Sequence, residues 1–236
     1  MGWKHDLAAA VGPSSGLFED HVATPAAEVR ERFRAALGTI PAAREADVKV
    51  EGEWTRDGLD GLELTWETGY GPRTEAWLLR PAGEDAVLPG VLALFEHGGV
   101  KEVGKEKLAD GPRLLDDDVA ATVQRGRDSS YGGRAWAEDL ARRGFAVLVP
   151  DAFGFGSRRL PDDDESPRLV EAQAAKVAGL LGASWAGLIA GEDLLPSRCC
   201  GVYRGSTAVV SPPWGCPAAV LVPGRCACWR PNCGRP

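Results

Sequence analysis

Cysteine is missing from the first 195 of the 236 residues, and all six (Cys199, Cys200, Cys216, Cys226, Cys228 and Cys233) crowd into the last 41. A disulfide framework or a zinc module in the main body is excluded, because either needs clustered thiols there. No stretch reaches the 18 or so consecutive apolar residues of a spanning helix, and the opening MGWKHDLAAAVGPSSG lacks the basic-then-apolar pattern of a secretory leader. A soluble, cytoplasmic chain is expected. Basic stripes are also absent: 27 Lys and Arg face 34 Asp and Glu, a net charge of −7. Nucleic acid and anionic membrane are therefore not expected as partners, since both are bound by neutralising phosphates. The last 41 residues lack something else. They contain no Asp, Glu, Lys or His, only five arginines and seven of the 17 prolines, whereas the first 195 carry a net −12.

What is present suits an ordinary globular core, with 44% hydrophobic residues and turns supplied by 30 glycines. Residues 1–45 read as a helical extension, with Val29, Phe33 and Leu37 at four-residue spacing ahead of Gly38. Residues 46–195 read as the main domain. There the period falls to two: Val48-Lys49-Val50, Leu62-Glu63-Leu64-Thr65-Trp66 and Ala76-Trp77-Leu78-Leu79 predict short strands in an antiparallel meander at a sheet edge. Pro89-Gly90-Val91-Leu92-Ala93-Leu94-Phe95 and, fifty residues on, Gly144-Phe145-Ala146-Val147-Leu148-Val149-Pro150 are apolar throughout, the pattern of strands buried on both faces. A helix is predicted over residues 134–143, with Gly144 as a left-handed C-cap. Strand, helix and strand of this kind predict an α/β fold with parallel pairing. Ser166-Pro167 then caps one long helix, with Leu169, Val170, Ala174, Val177, Leu180, Leu181, Trp185, Leu188 and Ile189 on its apolar face. A third buried strand is due next, but Pro196-Ser197-Arg198-Cys199-Cys200-Gly201 forms none.

In a parallel sheet the chemistry gathers beyond the carboxyl ends of the strands, which here are His97-Gly98-Gly99 and Asp151-Ala152-Phe153-Gly154-Phe155-Gly156. Paired glycines after a buried strand let backbone N–H groups reach a developing oxyanion, so His97, Gly98 and Gly99 are candidates for an oxyanion loop; a plain turn is the competing reading. His97 reads as a hydrogen-bonded loop histidine rather than a general base, since no Ser or Cys partner falls beside it. Gly154-Phe155-Gly156 lacks the third glycine and the later acid of a dinucleotide site, so no cofactor is expected. Asp116-Asp117-Asp118 and Asp162-Asp163-Asp164-Glu165 read as solvated acidic loops rather than cation sites. Gly182-Ala183-Ser184-Trp185-Ala186 approximates a nucleophile elbow, but helical periodicity precedes Ser184, which makes it a weak nucleophile candidate. The tail cysteines form no C-x-x-C pair and have no histidine near, so no metal is expected.

Pro89 to Lys107 (PGVLALFEHGGVKEVGKEK), Gly144 to Arg158 (GFAVLVPDAFGFGSR) and the following GASWAGLIAGEDL resemble the α/β-hydrolase superfamily, in particular its dienelactone-hydrolase and acetyl-xylan-esterase-like branch. The resemblance implies a Ser-His-Asp serine hydrolase acting on small-molecule carboxylic esters, with an oxyanion donor from the loop at Gly98 and Gly99. It also implies that nucleophile, acid and histidine follow Leu195. No G-x-S-x-G and no histidine occur there, so the chain as written is expected to be an incomplete hydrolase fold and inactive. The alternative is a non-catalytic α/β domain with a Cys-rich interaction or metal-binding tail.

Residues 196–236 are expected to be an irregular, disordered or frameshifted tail. Joining the third nucleotide of each codon to the first two of the next, from Pro213 through Val220, permits V-G-L-S-G-G-G, a nucleophile elbow at about the right distance from the preceding helix. A lost sheet layer would leave the helix starting at Pro167 with its apolar face partly uncovered, and poor solubility is the expected consequence.

Overall fold

The computed structural model describes residues 25–38, 47–84, 88–97, 100–160, 166–199, 208–210 and 219–225. Helix α1 (Ala26–Leu37) comes first, ending at Gly38 in the left-handed conformation. Three antiparallel strands follow: β1 (Lys49–Arg56), β2 (Leu59–Trp66) and β3 (Thr74–Pro81). Asp57 and Gly58 close the first hairpin, both at positive φ, as an Asp-Gly pair does when its backbone twist matches the strands. The meander is thus as the alternating pattern predicts.

Strands β4 (Pro89–Ala93) and β5 (Ala146–Pro150) pair in parallel, with Val91 opposite Val147 and Leu92 opposite Leu148. Their residues Val91, Leu92, Ala93, Val147, Leu148 and Val149 are all buried, which is why both read as unbroken apolar runs. Two helices lie between them, α2 (Asp117–Ser130) and α3 (Trp136–Arg142). Gly144 takes φ +93 just beyond α3, the cap conformation that a Cβ disfavours. The fold is α/β, with an antiparallel start joined to a parallel pair, since β5 also pairs antiparallel with β3.

The core lies on both faces of this sheet. On one, Leu59, Trp77, Leu79, Val91, Ala93, Val147 and Val149 pack with Ala137 and Ala141 of α3. On the other are Leu64, Trp66, Ala76, Leu78, Leu92 and Leu148. The split follows the two-residue strand period, which sends Trp77 and Leu79 one way and Ala76 and Leu78 the other.

Two expectations are corrected. The acidic stretch at Asp116 is the start of α2, with Asp117 and Asp118 in its first turn, where carboxylates favour the helix dipole. The single long helix is two, α4 (Pro167–Leu180) and α5 (Trp185–Cys199), bent by 89°. Gly182 at φ +77 makes the break, and Ser184 restarts the helix by accepting a hydrogen bond from the Gly187 N–H at 2.9 Å. Within residues 196–236 the described segments beyond the end of α5 are β6 (Ala208–Val210) and β7 (Ala219–Arg225), which extend the sheet from the edge of β4, giving the order β1-β2-β3-β5-β4-β7-β6. All β4–β7 and β6–β7 pairing is antiparallel. The reason is that β4 offers a row of unpaired N–H and C=O groups, which the apolar run Ala219-Val220-Leu221-Val222 can satisfy.

Candidate functional site

Beyond the carboxyl ends of β4 and β5 the chain builds a wall of buried ionic groups. Asp151, 3% exposed, follows β5 directly, and its carboxylate accepts four hydrogen bonds. These come from the Lys105 N–H (2.8 Å), the Lys105 ammonium (2.8 Å), the Ser157 N–H (3.0 Å) and the Ser157 hydroxyl (2.7 Å). Asp151 therefore ties the loop after β4 to the loop after β5. Space around the carboxylate is so tight that a Cβ on Gly104 or Gly156 would sit 2.1 or 2.6 Å from Asp151 Oδ1, which explains glycine at both positions. The Lys105 ammonium also meets Glu75 at 3.1 Å and Glu106 at 3.2 Å. Burial works against its charge, but Asp151, Glu106 and Glu75 outweigh that and hold its pKa above the ordinary lysine value.

The loop leading to the glycine pair is anchored as firmly. Lys107 is 1% exposed; its ammonium donates to the Glu96 carbonyl at 3.2 Å and pairs with the Glu96 carboxylate at 3.2 Å. Burial pulls the Lys107 pKa below the usual lysine value despite that carboxylate. The Glu96 N–H donates to the Tyr131 hydroxyl at 2.6 Å. His97 itself stands at the surface end of the loop, its ring 4.9 Å from that of Phe155 and 5.5 Å from that of Phe95. Partial burial, then the charges of Lys107 and Lys101, lower its pKa, which favours the neutral imidazole. Arg127 of α2 clamps the neighbouring turn by donating to the carbonyls of Glu106 (2.6 Å), Lys107 (3.3 Å) and Ala109 (3.0 Å), and pairs with Asp110 at 2.7 Å.

A second buried joint fixes the far side of the β5 loop. Arg158, fully buried, pairs with Glu192 of α5 and donates to the Thr68 hydroxyl and the Tyr70 carbonyl, each at 3.0 Å. Burial raises the Glu192 pKa against the pull of Arg158. Joints of this kind hold geometry more than they add stability, since desolvation offsets most of the attraction.

The structure thus brings His97 to the carboxyl end of β4, as the parallel-strand pattern predicts. Gly98, Gly99 and Asp162 to Glu165 lie outside the described residues, as do Cys200, Cys216, Cys226, Cys228 and Cys233. Ser184 is a helix cap whose hydroxyl donates to the Leu37 carbonyl, joining α5 to α1. The spacing G-x-S-x-G also occurs at Gly12-Pro13-Ser14-Ser15-Gly16, ahead of every strand and outside the described residues. Sequence reasoning missed the buried trio Lys101, Lys105 and Lys107. Nothing in the spacing of KEVGKEK marks them as buried; the acids that face them, from the neighbouring Glu96 and Glu106 to the distant Glu75, Asp151 and Glu171, allow it. Among the described residues no group of three His, Cys, Asp or Glu is placed to hold a metal. No single described helix is long and apolar enough to cross a membrane.

No protein-family profile matches the chain. A Bacillus subtilis (strain 168) protein described as a hydrolase, YtaP, is 26% identical over 133 residues, which is 56% of this chain and 39% of that protein. Among solved structures, one from Bacteroides fragilis NCTC 9343, described as an acetyl xylan esterase, aligns with 16% identity and a TM-score of 0.49 over 72% of this chain and 42% of its own. A glucuronoyl esterase from Solibacter usitatus aligns with 13% identity and a TM-score of 0.36 over 64% of this chain and 48% of its own. The chain spans about two fifths of the length of the curated relative it matches.

Proposed function

We propose that residues 46–195 are the amino-terminal part of a carboxylic-ester hydrolase of the α/β-hydrolase type, with the His97-Gly98-Gly99 loop as its oxyanion-binding element. The observation that supports this most is the Asp151 hub. It locks together the two loops that leave the carboxyl ends of β4 and β5, the place where such folds keep their chemistry. In that role the loop N–H groups would bind the oxyanion of a tetrahedral intermediate, and the depressed pKa of His97 keeps a second positive charge away from the buried lysines. The likeness to YtaP, described as a hydrolase, points the same way.

The 236 residues supply neither a serine on an elbow after Leu195 nor a histidine after His97. On this reading the chain as written does not turn over esters, and residues 196–236 are an out-of-frame translation of the segment that would carry the nucleophile. Two measurements test it. The protein as written should resist labelling by a fluorophosphonate probe and should not hydrolyse p-nitrophenyl acetate above background. A gene reframed upstream of Pro213 should gain both activities. Labelling of the unaltered protein, lost in Ser184→Ala or Ser14→Ala, would overturn the reading.

The pairing of β7 with β4 favours a second reading, a non-catalytic domain whose Cys-rich tail is a genuine part of the sheet. Stoichiometric zinc on the purified protein would support it against the frameshift.

A further inference from the structure

Helix α4 meets the candidate site through one charged side chain. Glu171 reaches across to Lys101, Oε2 to Nζ at 2.6 Å, and Lys101 is 4% exposed while Glu171 is 32% exposed at its side chain. The ammonium sits 3.6 Å from the centre of the Phe155 ring and 5.7 Å from that of Trp185. Phe155 in turn stands edge-on to His97. The Lys101 carbonyl accepts the Gly156 N–H at 3.0 Å, so a single residue joins the β4 loop, the β5 loop and α4. Elsewhere α4 is loosely dressed: Ala178 is buried, but Leu169, Val177 and Leu180 face solvent. A small gap beside the pair is lined by Lys101, Gly154, Val170, Glu171 and Trp185 among others.

We propose that the Lys101–Glu171 pair is a latch that seats α4 over the aromatic floor at Phe155 and Trp185 and couples the seating of that helix to the His97 loop. The physical reason lies in the asymmetry of the pair. A buried ammonium stripped of its carboxylate keeps, among the described residues, the ring faces of Phe155 and Trp185, which hold a cation far less well than a carboxylate at contact distance. Losing Glu171 therefore drives Lys101 toward water, and the route outward runs under α4. The movement takes Lys101 off Phe155, the ring that supports His97. The latch stands on these contacts alone, whether or not the chain hydrolyses esters.

Hydrogen exchange on the full chain tests the latch in Glu171→Gln, Lys101→Met and the double variant. The Glu96 N–H, held by Tyr131, reports on the His97 loop. Either single change should speed exchange of the α4 amides and of Glu96 by about tenfold, while amides of β3 and β5 keep their protection. The double variant should be no faster than the faster single, because the two groups act as one contact. Unchanged α4 exchange in both singles would overturn the latch. So would acceleration of the β3 and β5 amides along with α4, which marks a general loss of stability. Faster α4 exchange with Glu96 unmoved would overturn the coupling to the His97 loop.

Discussion

The loop wall and helix α4 are neighbours, yet they are held by opposite means. In the wall, three lysines and two arginines are 7% exposed or less, and the carboxylates that meet them include the buried Asp151 and Glu192. On α4, Leu169, Val177 and Leu180 stand in solvent, and Leu181 just beyond them does too. One charged cluster is therefore inside and one apolar face outside, the reverse of the usual partition. The difference teaches what burial requires. A lysine can go inside where a loop brings a carboxylate and a ring to it; a leucine stays outside where no described part of the chain lies over it.

Three substitutions break or sharpen that contrast, beginning with the largest effect. Asp151→Ala removes the acceptor of four hydrogen bonds and leaves the Lys105 ammonium in the interior without its closest carboxylate. A loss of about 3–5 kcal/mol is expected, read as a lower midpoint in urea unfolding; a loss under 1 kcal/mol would show that the wall is ornament. Ser184→Ala deletes the cap of α5 and its bond to the Leu37 carbonyl. The expected cost is about 1 kcal/mol, with earlier exchange of the first-turn amides of α5, and circular dichroism on heating checks it. Leu180→Lys, at a position 88% exposed, should leave the midpoint within about 0.5 kcal/mol and raise the concentration at which the protein stays in solution. A large destabilisation there would mean that the outer face of α4 is covered in solution.

Much of the fold was legible because it rests on periods. The alternation around Leu62, Leu64 and Trp66 and the apolar runs through Val91 and Val147 correspond to β2, β4 and β5. Gly144 marked the cap that follows α3. The break between α4 and α5 was harder to read, since Leu180, Leu181, Trp185, Leu188 and Ile189 keep a helical spacing across it. The left-handed Gly182 and the packing of Ser184 against the end of α1 together turn the chain there. Helix α2 escaped notice because its buried residues are only Val123 and Arg127, too few for an apolar stripe. His97 lies just beyond the end of β4, while nothing in the spacing of KEVGKEK makes its lysines recognisable as buried.

The amino-acid sequence by itself determined the class of the fold, the parallel pair at its centre and the two loops at its carboxyl end. Those follow from side-chain spacing, which is local and survives without coordinates. It also determined that no histidine follows His97, which limits what chemistry these residues can complete. Tertiary structure alone decided that Asp151 gathers both loops, that Arg158 finds Glu192, and that Glu171 closes on Lys101. Each of those pairs joins residues 34 to 70 positions apart, and the energy that selects them exists only once folding has excluded water around the charges.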